Sequence, residues 1–211
     1  MDLDNLVNNY VIEQKNKMEK LIDNFKEIDT DRYYKTVDKC NHKSFSIGGK
    51  RNMFGIYSFD IFPEMFESDF SKGRVFNKRP RIFDFRYLYH NDKVKIIEEY
   101  IDKIIHKISF VYYYEYKTNI ISYLTDFKNQ QLILNSITSC KYNHTNRLIE
   151  YENCLINNDE ISEIITREYN YECNRVNVKE SVYFNVNDKF ISNTYSIEDD
   201  LIIGYMKEFY F

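Results

Sequence analysis

Residues 140–151 read CKYNHTNRLIEY. A strand-like run ends at Tyr142, a short turn follows from Asn143 to Asn146, and a second alternating run begins at Arg147. Asparagine tolerates the left-handed backbone conformation that tight turns need. The alternation and the turn chemistry together predict a β-hairpin.

The same pattern recurs on both sides of this hairpin. The tyrosines that close successive strand-like runs are spaced by 27, 26 and 29 residues: Tyr89, Tyr116, Tyr142 and Tyr171. A shorter hairpin follows over residues 184–191, and an aromatic strand ends the chain at 201–211. Turns are predicted near Asn91, Asn119, Asn146, Asn174 and Asp188. The repeat indicates a large, twisted antiparallel meander with long strands.

The N-terminal segment has a different period. Apolar residues recur every three or four positions over residues 3–28, which predicts one amphipathic helix that packs on the sheet. The fold class is therefore α+β and mainly β. We expect a single domain over 1–211, with a helix at 1–30, an irregular α/β segment at 31–80 and the meander at 81–211.

Parts of the chain are harder to assign. Within the irregular segment, Gly48 to Lys50 reads as a turn, 53–61 alternates like a strand, and 63–79 reads as a long loop or a short helix with a loop. The Gly-Gly-Lys lacks the earlier glycine and the following Ser or Thr of a phosphate-binding loop. Residues 94–108 fit a helix as well as strands, and periodicity alone does not decide between them.

The composition favours a globular intracellular protein. The 211 residues include 20 Tyr and 16 Phe but only 5 Gly and 2 Pro, and the formal net charge is −4. The N-terminus lacks a signal-peptide pattern, and no apolar run approaches the roughly 20 residues of a membrane span. The four cysteines form no CxxC pair, so we expect reduced thiols in the cytoplasm.

The search for catalytic chemistry yields no recognisable site. None of the four histidines forms a metal-binding pair, and Cys40 with His42 lacks further ligands, so no cofactor or metal is predicted. Cys140, Cys154 and Cys173 are predicted on strands as small apolar fillers. Glu98-Glu99 and Asp199-Asp200 would point to opposite faces of a strand, and we expect solvated edges or turns there. We therefore expect a protein that is not an enzyme.

Charge is unevenly distributed along the chain. Residues 150–211 carry thirteen acids against five bases, and this acidic, Tyr-rich sheet suits a basic protein partner. The alternative is negative charge kept for solubility and against edge pairing. The candidate partner-binding residues lie around the turn after the third hairpin: Glu150, Tyr151, Glu152, Asp159, Glu160 and Glu163.

A basic stretch supports a second function. Residues 72–86 hold six bases against one acid, with aromatic residues between them up to Tyr87. Bases interleaved with aromatics are typical of grooves for RNA or single-stranded DNA, although the net negative charge of the whole chain disfavours nucleic acid. A solvated loop followed by an inward-facing strand explains the same pattern. The candidate nucleic-acid-binding residues are Lys72, Arg74, Lys78, Arg79, Arg81 and Arg86.

The hairpin of residues 142–151 resembles the YD-repeat hairpin of bacterial Rhs-type proteins, which has a Tyr–Asp–small turn–Arg–Leu pattern. Here Asn143 replaces the Asp and Asn146 replaces the Gly, Tyr171 to Val176 matches more loosely, and the period is longer. A helical N-terminus before a Tyr-rich meander is also similar to the immunity proteins of bacterial polymorphic toxins. The resemblance implies a protein that binds and neutralises a cognate toxin.

Overall fold

The computed structural model describes residues 3–25, 30–48, 54–57, 59–62, 73–126, 129, 131–185, 189–198 and 201–210, with the side chains of 3–8 and 201–210 outside this description. The chain forms two compact units. The terminal unit comprises residues 1–26, 115–117 and 136–211, and the central unit comprises residues 27–114 and 118–135. The structure is mainly β, as the alternation predicts.

The first helix, α1 (Leu3–Phe25), belongs to the terminal unit. Val11, Met18 and Ile22 are its buried apolar residues, and they lie on one stripe because their spacings of seven and four residues return to the same face. The helix was predicted over 3–28, and residues 26–28 lie outside the described part of the chain. Neither helix in the described residues is both long and apolar enough to cross a membrane.

The terminal unit is an antiparallel meander under this helix. Strand β7 (Gln131–Tyr142) enters the unit at residue 136, and each following strand pairs with the one before it. These strands are β8 (Leu148–Asn157), β9 (Glu160–Glu172), β10 (Arg175–Phe184), β11 (Lys189–Glu198) and β12 (Leu201–Tyr210). The strands are 10 to 13 residues long, so the prediction of long strands is confirmed.

The central unit contains a second, short helix and a sheet in the order β2-β1-β3-β4-β5-β6. Its elements are α2 (Thr30–Val37), β1 (His42–Ile47), β2 (Arg74–Phe76), β3 (Phe85–His90), β4 (Lys93–Ile101), β5 (Ile104–Tyr113) and β6 (Lys117–Asp126). Residues 94–108 are therefore strands on both sides of a two-residue turn. Periodicity did not distinguish helix from strand here, but β4 pairs with β3 and β5 pairs with β6, which stabilises the strands.

The hairpin turns confirm most of the predicted positions. Turns occur at Asn91-Asp92, over 143–147 and at Cys173-Asn174. Asn119 was predicted as a turn and lies instead inside β6, opposite Tyr112, while the turn is at 114–116. Asp188 itself lies outside the described residues, although Phe184 pairs with Lys189 across that connection.

Three other predictions are corrected. The described residues of 53–61 do not form the predicted strand: residues 54–56 form a turn in which Gly55 has φ +66°, and the Ile56 amide donates to the Tyr87 hydroxyl at 3.0 Å. The loop predicted over 63–79 contains β2, and its residues 63–72 lie outside the described part. Cys173 is exposed in a turn rather than packed on a strand.

Candidate functional site

The predicted partner-binding residues occupy β8, the turn after it and β9, but they do not form one surface. Tyr151 and Glu152 are only 3% and 2% exposed, so they do not present side chains to solvent. Glu150 is half-buried and accepts from Lys141 Nζ at 2.6 and 2.8 Å. Asp159 and Glu160 are exposed, and they remain the accessible members of the set.

Glu152 faces α1. Its Oε1 accepts from Lys17 Nζ of the helix, and beside it Tyr10 and Thr166 share a hydroxyl hydrogen bond of 2.7 Å. Glu152 Oε2 and Gln14 Oε1 are buried and make no hydrogen bond in the structure. The Lys17–Glu152 pair thus anchors α1 to the sheet, and it is an internal contact rather than a docking group.

Glu163 and Tyr151 lie near a second buried carboxylate, Glu180 of β10. Arg167 of β9 donates from Nε and a terminal nitrogen to Glu180 at 2.7 and 2.6 Å, and its guanidinium is 5.6 Å from the Tyr151 ring. Burial raises the pKa of the half-buried Glu163, and the nearby Arg167 charge opposes this shift. Asn193 completes the cluster by donating to Glu180 at 2.9 Å.

The accessible acids line a cleft in the terminal unit. The cleft has a volume of about 380 Å³. Its floor is apolar, with Ile22 of α1 and Ile161 of β9 both buried. Four carboxylates against one lysine make it acidic, and the lining residues are Lys15, Glu19, Ile22, Asp23, Asp159, Glu160, Ile161 and Asn185. We call this feature the acidic cleft.

Sequence reasoning found only part of the acidic cleft. Asp159 and Glu160 were candidates, whereas Glu19 and Asp23 were missed. Their signal is the spacing: Lys15, Glu19 and Asp23 recur every four residues, which places them along one polar face of α1. A search restricted to the acidic C-terminal residues could not include them, because the helix contributes them from the other end of the chain.

The basic stretch is divided by the fold of the central unit. Lys72 lies outside the described residues, and Arg86 is bound to a carboxylate. The remaining bases are exposed: Arg74 on β2, Lys78, Arg79 and Arg81. Two of them stack on neighbouring aromatic rings, at 5.2 Å for Arg74 over Phe76 and 5.3 Å for Arg79 over Phe83.

The interleaved aromatics are largely committed to the core. Phe85 and Tyr87 are buried, and Phe83 packs edge-on against Phe45 and Tyr100 with ring centroids 5.0 and 4.7 Å apart. The stretch therefore exposes cations without the row of free aromatic faces on which bases would stack. This geometry weakens the segment as a single-strand groove and leaves it a basic surface.

Arg86 binds Glu98, which corrects the expectation of a solvated carboxylate. Glu98 is completely buried on β4 and directly opposite Arg86 of β3. Arg86 donates to both carboxylate oxygens at 2.5 and 2.6 Å, while Tyr33 and Tyr100 donate at 2.7 and 2.8 Å. Burial, followed by the Glu98 charge, raises the pKa of both tyrosines. With four donors, this carboxylate is satisfied and holds α2 against the sheet.

The cysteines and histidines form no metal cluster among the residues that the structure describes. Cys140 and Cys154 are buried on β7 and β8, and burial raises the pKa of Cys154 to about 12. His90 Nδ1 lies 2.7 Å from the Lys39 carbonyl.

Comparison of the chain with protein-family models, with curated proteins and with solved structures finds no match to it.

Proposed function

We propose that this chain is a non-enzymatic protein-binding module, and most concretely an immunity protein that neutralises a cognate bacterial toxin. The observation that carries the proposal is the acidic cleft, where four carboxylates surround an apolar floor. A basic side chain of a partner, Lys or Arg, has the complementary charge and an aliphatic stem suited to Ile22 and Ile161.

The charge of the terminal unit supports the same partner chemistry. This unit has nineteen acids against twelve bases, a net charge of −7, whereas the central unit has fourteen acids against seventeen bases, a net charge of +3. A negative field around the cleft would accelerate encounter with a basic protein. The YD-like hairpin and the layout of a helix before a Tyr-rich meander agree with a toxin-associated role.

The test is a search for a toxin-like reading frame beside this gene and co-expression with its product, with cell survival as the readout. Purified proteins then give association and dissociation rates. The double variant Glu19→Lys, Glu160→Lys should slow association about tenfold at low salt, and the loss should shrink as salt rises above roughly 0.15 M, where exposed charges are screened.

A matched control keeps the same charge change outside the cleft. Glu13→Lys with Glu172→Lys also alters one exposed acid on α1 and one on β9, and it should slow association much less. Equal slowing by both pairs would refute the cleft as the docking site. Failure to protect against any toxin-like product of the neighbouring genes, together with no toxin-like partner in a pull-down, would refute the immunity role.

A second candidate function is the binding of RNA or single-stranded DNA by the exposed bases of the basic stretch. The four cations at Arg74, Lys78, Arg79 and Arg81 support it. Arg79→Ala with Arg81→Ala should remove about two phosphate contacts, so the slope of log K against log salt should fall by roughly 1.4 for a single strand. A wild-type protein that does not bind either nucleic acid at low salt would eliminate this candidate.

A further inference from the structure

A second cleft, of about 280 Å³, lies within the central unit. It is bounded by α2, the first residues of β4 and the last residues of β5. The lining residues are Arg32, Thr36, Lys95, Phe110, Val111, Tyr112, Tyr113 and Tyr114. Its volume is close to the lower end of the range for small-ligand sites. We call it the tyrosine cleft.

The cleft results from how the strands pair. The register of β4 with β5 runs from Ile96–Phe110 to Ile101–Ile104, whereas β5 continues to Tyr113, which pairs with Thr118 of β6. On its other side, β4 pairs with β3 through a bulge, where Tyr89 is opposite Val94 and Leu88 is opposite Ile96. Lys95 is the extra residue of that bulge. Bulges redirect side chains, and this one accounts for Lys95 reaching the cleft.

Cations surround the cleft and lie against aromatic rings. Lys93 and Lys95 Nζ are 5.4 and 5.3 Å from the centroid of the Tyr113 ring. Arg32 donates to the Tyr112 hydroxyl at 2.8 Å, with its guanidinium 5.7 Å from that ring. These distances fit cation–π contacts, which hold the charged groups at the rim.

Basic residues outnumber acidic residues in the lining of the cleft. Among the described residues that line it there is no Asp or Glu, while Arg32 and Lys95 are both cationic. Burial raises the pKa of Tyr113 to about 12 and also raises the pKa of Tyr112, so both phenols are neutral at physiological pH. An anionic group is therefore the complementary ligand chemistry.

Tyr114 adds an aromatic surface to this positive charge. It follows β5 directly and is 58% exposed, in contrast to the half-buried Tyr112 and Tyr113. A large exposed ring beside clustered cations suits a ligand that combines an aromatic ring with a phosphate. An acidic peptide would use the cations but would leave the tyrosine face uncovered.

We propose that the tyrosine cleft binds one nucleotide unit of a single-stranded nucleic acid, with the phosphate at Lys93, Lys95 and Arg32 and the base stacked on Tyr114. Base–aromatic stacking and backbone cations are the two elements of sequence-tolerant single-strand binding. This activity goes beyond toxin neutralisation. Its residues belong to the central unit, whereas those of the acidic cleft belong to the terminal unit.

The experiment measures fluorescence anisotropy of a labelled 12-nucleotide oligouridine with the full chain across a salt series. Lys93→Gln with Lys95→Gln should weaken binding about tenfold at low salt and lower the salt slope by roughly 1.4, the value for two phosphate contacts. Tyr114→Ala should weaken binding about tenfold at every salt concentration and leave the slope unchanged, because stacking releases no counterions.

Matched controls separate the cleft from general charge and aromatic content. Lys43→Gln with Lys103→Gln removes two exposed lysines elsewhere in the central unit, and Tyr116→Ala removes another exposed tyrosine. These controls should bind like the wild type. Unchanged binding by the cleft variants, or equal loss in the controls, would overturn the proposal. Circular dichroism and thermal unfolding establish that each variant is folded.

Three further outcomes bear on the ligand. If polyglutamate competes as effectively as unlabelled oligouridine, the proposal is overturned, because the cleft would then recognise negative charge alone. If uridine monophosphate competes as well as oligouridine at equal nucleotide concentration, the single-strand proposal is overturned and the ligand is a free nucleotide. Loss of all binding in Arg79→Ala with Arg81→Ala, with no loss in the cleft variants, would assign the activity to the basic stretch instead.

Discussion

Glu98 and Glu99 are neighbours in the chain but have opposite surroundings. Glu98 is completely buried and accepts four hydrogen bonds, whereas Glu99 is partly exposed and pairs with Lys107 at 2.7 Å. Alternation along a strand explains how successive side chains enter different environments. The two residues allow the contribution of a buried charge to stability to be compared with that of a half-buried charge one residue away.

Glu98→Gln should therefore destabilise the protein strongly. It leaves Arg86 without its carboxylate and replaces one acceptor oxygen by an amide NH2, so either Tyr33 or Tyr100 loses its acceptor. Loss of one partner of a buried ion pair costs about 3 to 5 kcal/mol. Glu99→Gln should cost less, about 1 kcal/mol, because its half-buried pair with Lys107 keeps partial contact with water. Urea unfolding at pH 7 measures both, and similar losses in the two variants would contradict the role given to the Glu98 cluster.

The raised pKa of Glu163 predicts that its contribution to folding stability changes with pH in the opposite direction to that of an ordinary salt-bridged acid. Because burial raises its pKa, the folded state binds the proton more tightly than the unfolded chain, and stability contributed by this group is lost as pH rises through the raised pKa. Glu163→Gln should be more stable than the wild type at pH 7. The difference should shrink as pH falls toward the ordinary range of a glutamic acid; a difference that grows on acidification would contradict this.

At the scale of elements, three two-residue turns have the same left-handed geometry. Asn91-Asp92, Asp102-Lys103 and Asn158-Asp159 all have positive φ at both residues, between 50° and 68°. Positive φ at both central positions is the requirement of the hairpin turn that matches strand twist. Asn and Asp tolerate it, whereas Lys103, at φ 68°, has no side-chain compensation of that kind.

Lys103→Gly should consequently stabilise the β4–β5 hairpin, by up to about 1 kcal/mol, because glycine has no Cβ to clash in the left-handed region. Lys103→Val should destabilise it, since a β-branched residue is strained there. Lys43→Gly, at an exposed position in strand β1, is the control and should destabilise. Thermal unfolding ranks the three variants, and a destabilised Lys103→Gly would contradict the strain argument.

These turns also show why the strands were predictable and some other elements were not. Asn and Asp at 91–92, 146 and 174 specify turns locally, so the sequence alone places them. The turn at 114–116 contains no Gly, Pro, Asn or Asp, so the sequence predicted this turn at the nearby Asn119 instead. Helix α2 was missed because eight residues with buried Thr30 and Tyr33 give too little periodicity.

Across the molecule, features made by residues close together in sequence were predictable, whereas features made by residues far apart in sequence were not. The meander follows from local alternation, and the unequal charge of the C-terminal region was visible in composition. Glu98 was misjudged because its partner Tyr33 is 65 residues away, and Glu19 was missed because it meets Asp159 and Glu160 only after folding. Sequence patterns report single elements, whereas a cleft is made by residues from several.

The opposite charges of the two units fit two separate ligand classes. The terminal unit, at −7, suits a basic protein, and the central unit, at +3, holds the tyrosine cleft and the exposed bases. A net charge of −4 for the whole chain conceals this division. Salt dependence measured for each ligand class separately is therefore more informative than the isoelectric point of the protein.

The distribution of thiols has a practical consequence. Cys173 is exposed in the turn between β9 and β10, while Cys140 and Cys154 are buried on β7 and β8. A maleimide dye will label Cys173 before Cys40 of the central unit, because the Cys40 thiol is half-buried, donates to the Thr36 carbonyl at 3.2 Å and has its pKa raised by burial. Cys173 thus gives a fluorescent label on the terminal unit without engineering. The buried Cys154, protonated and shielded, reacts only when its strand opens. The rate at which Cys154 is modified, measured by mass spectrometry of the wild-type protein, therefore reports how often this part of the sheet opens.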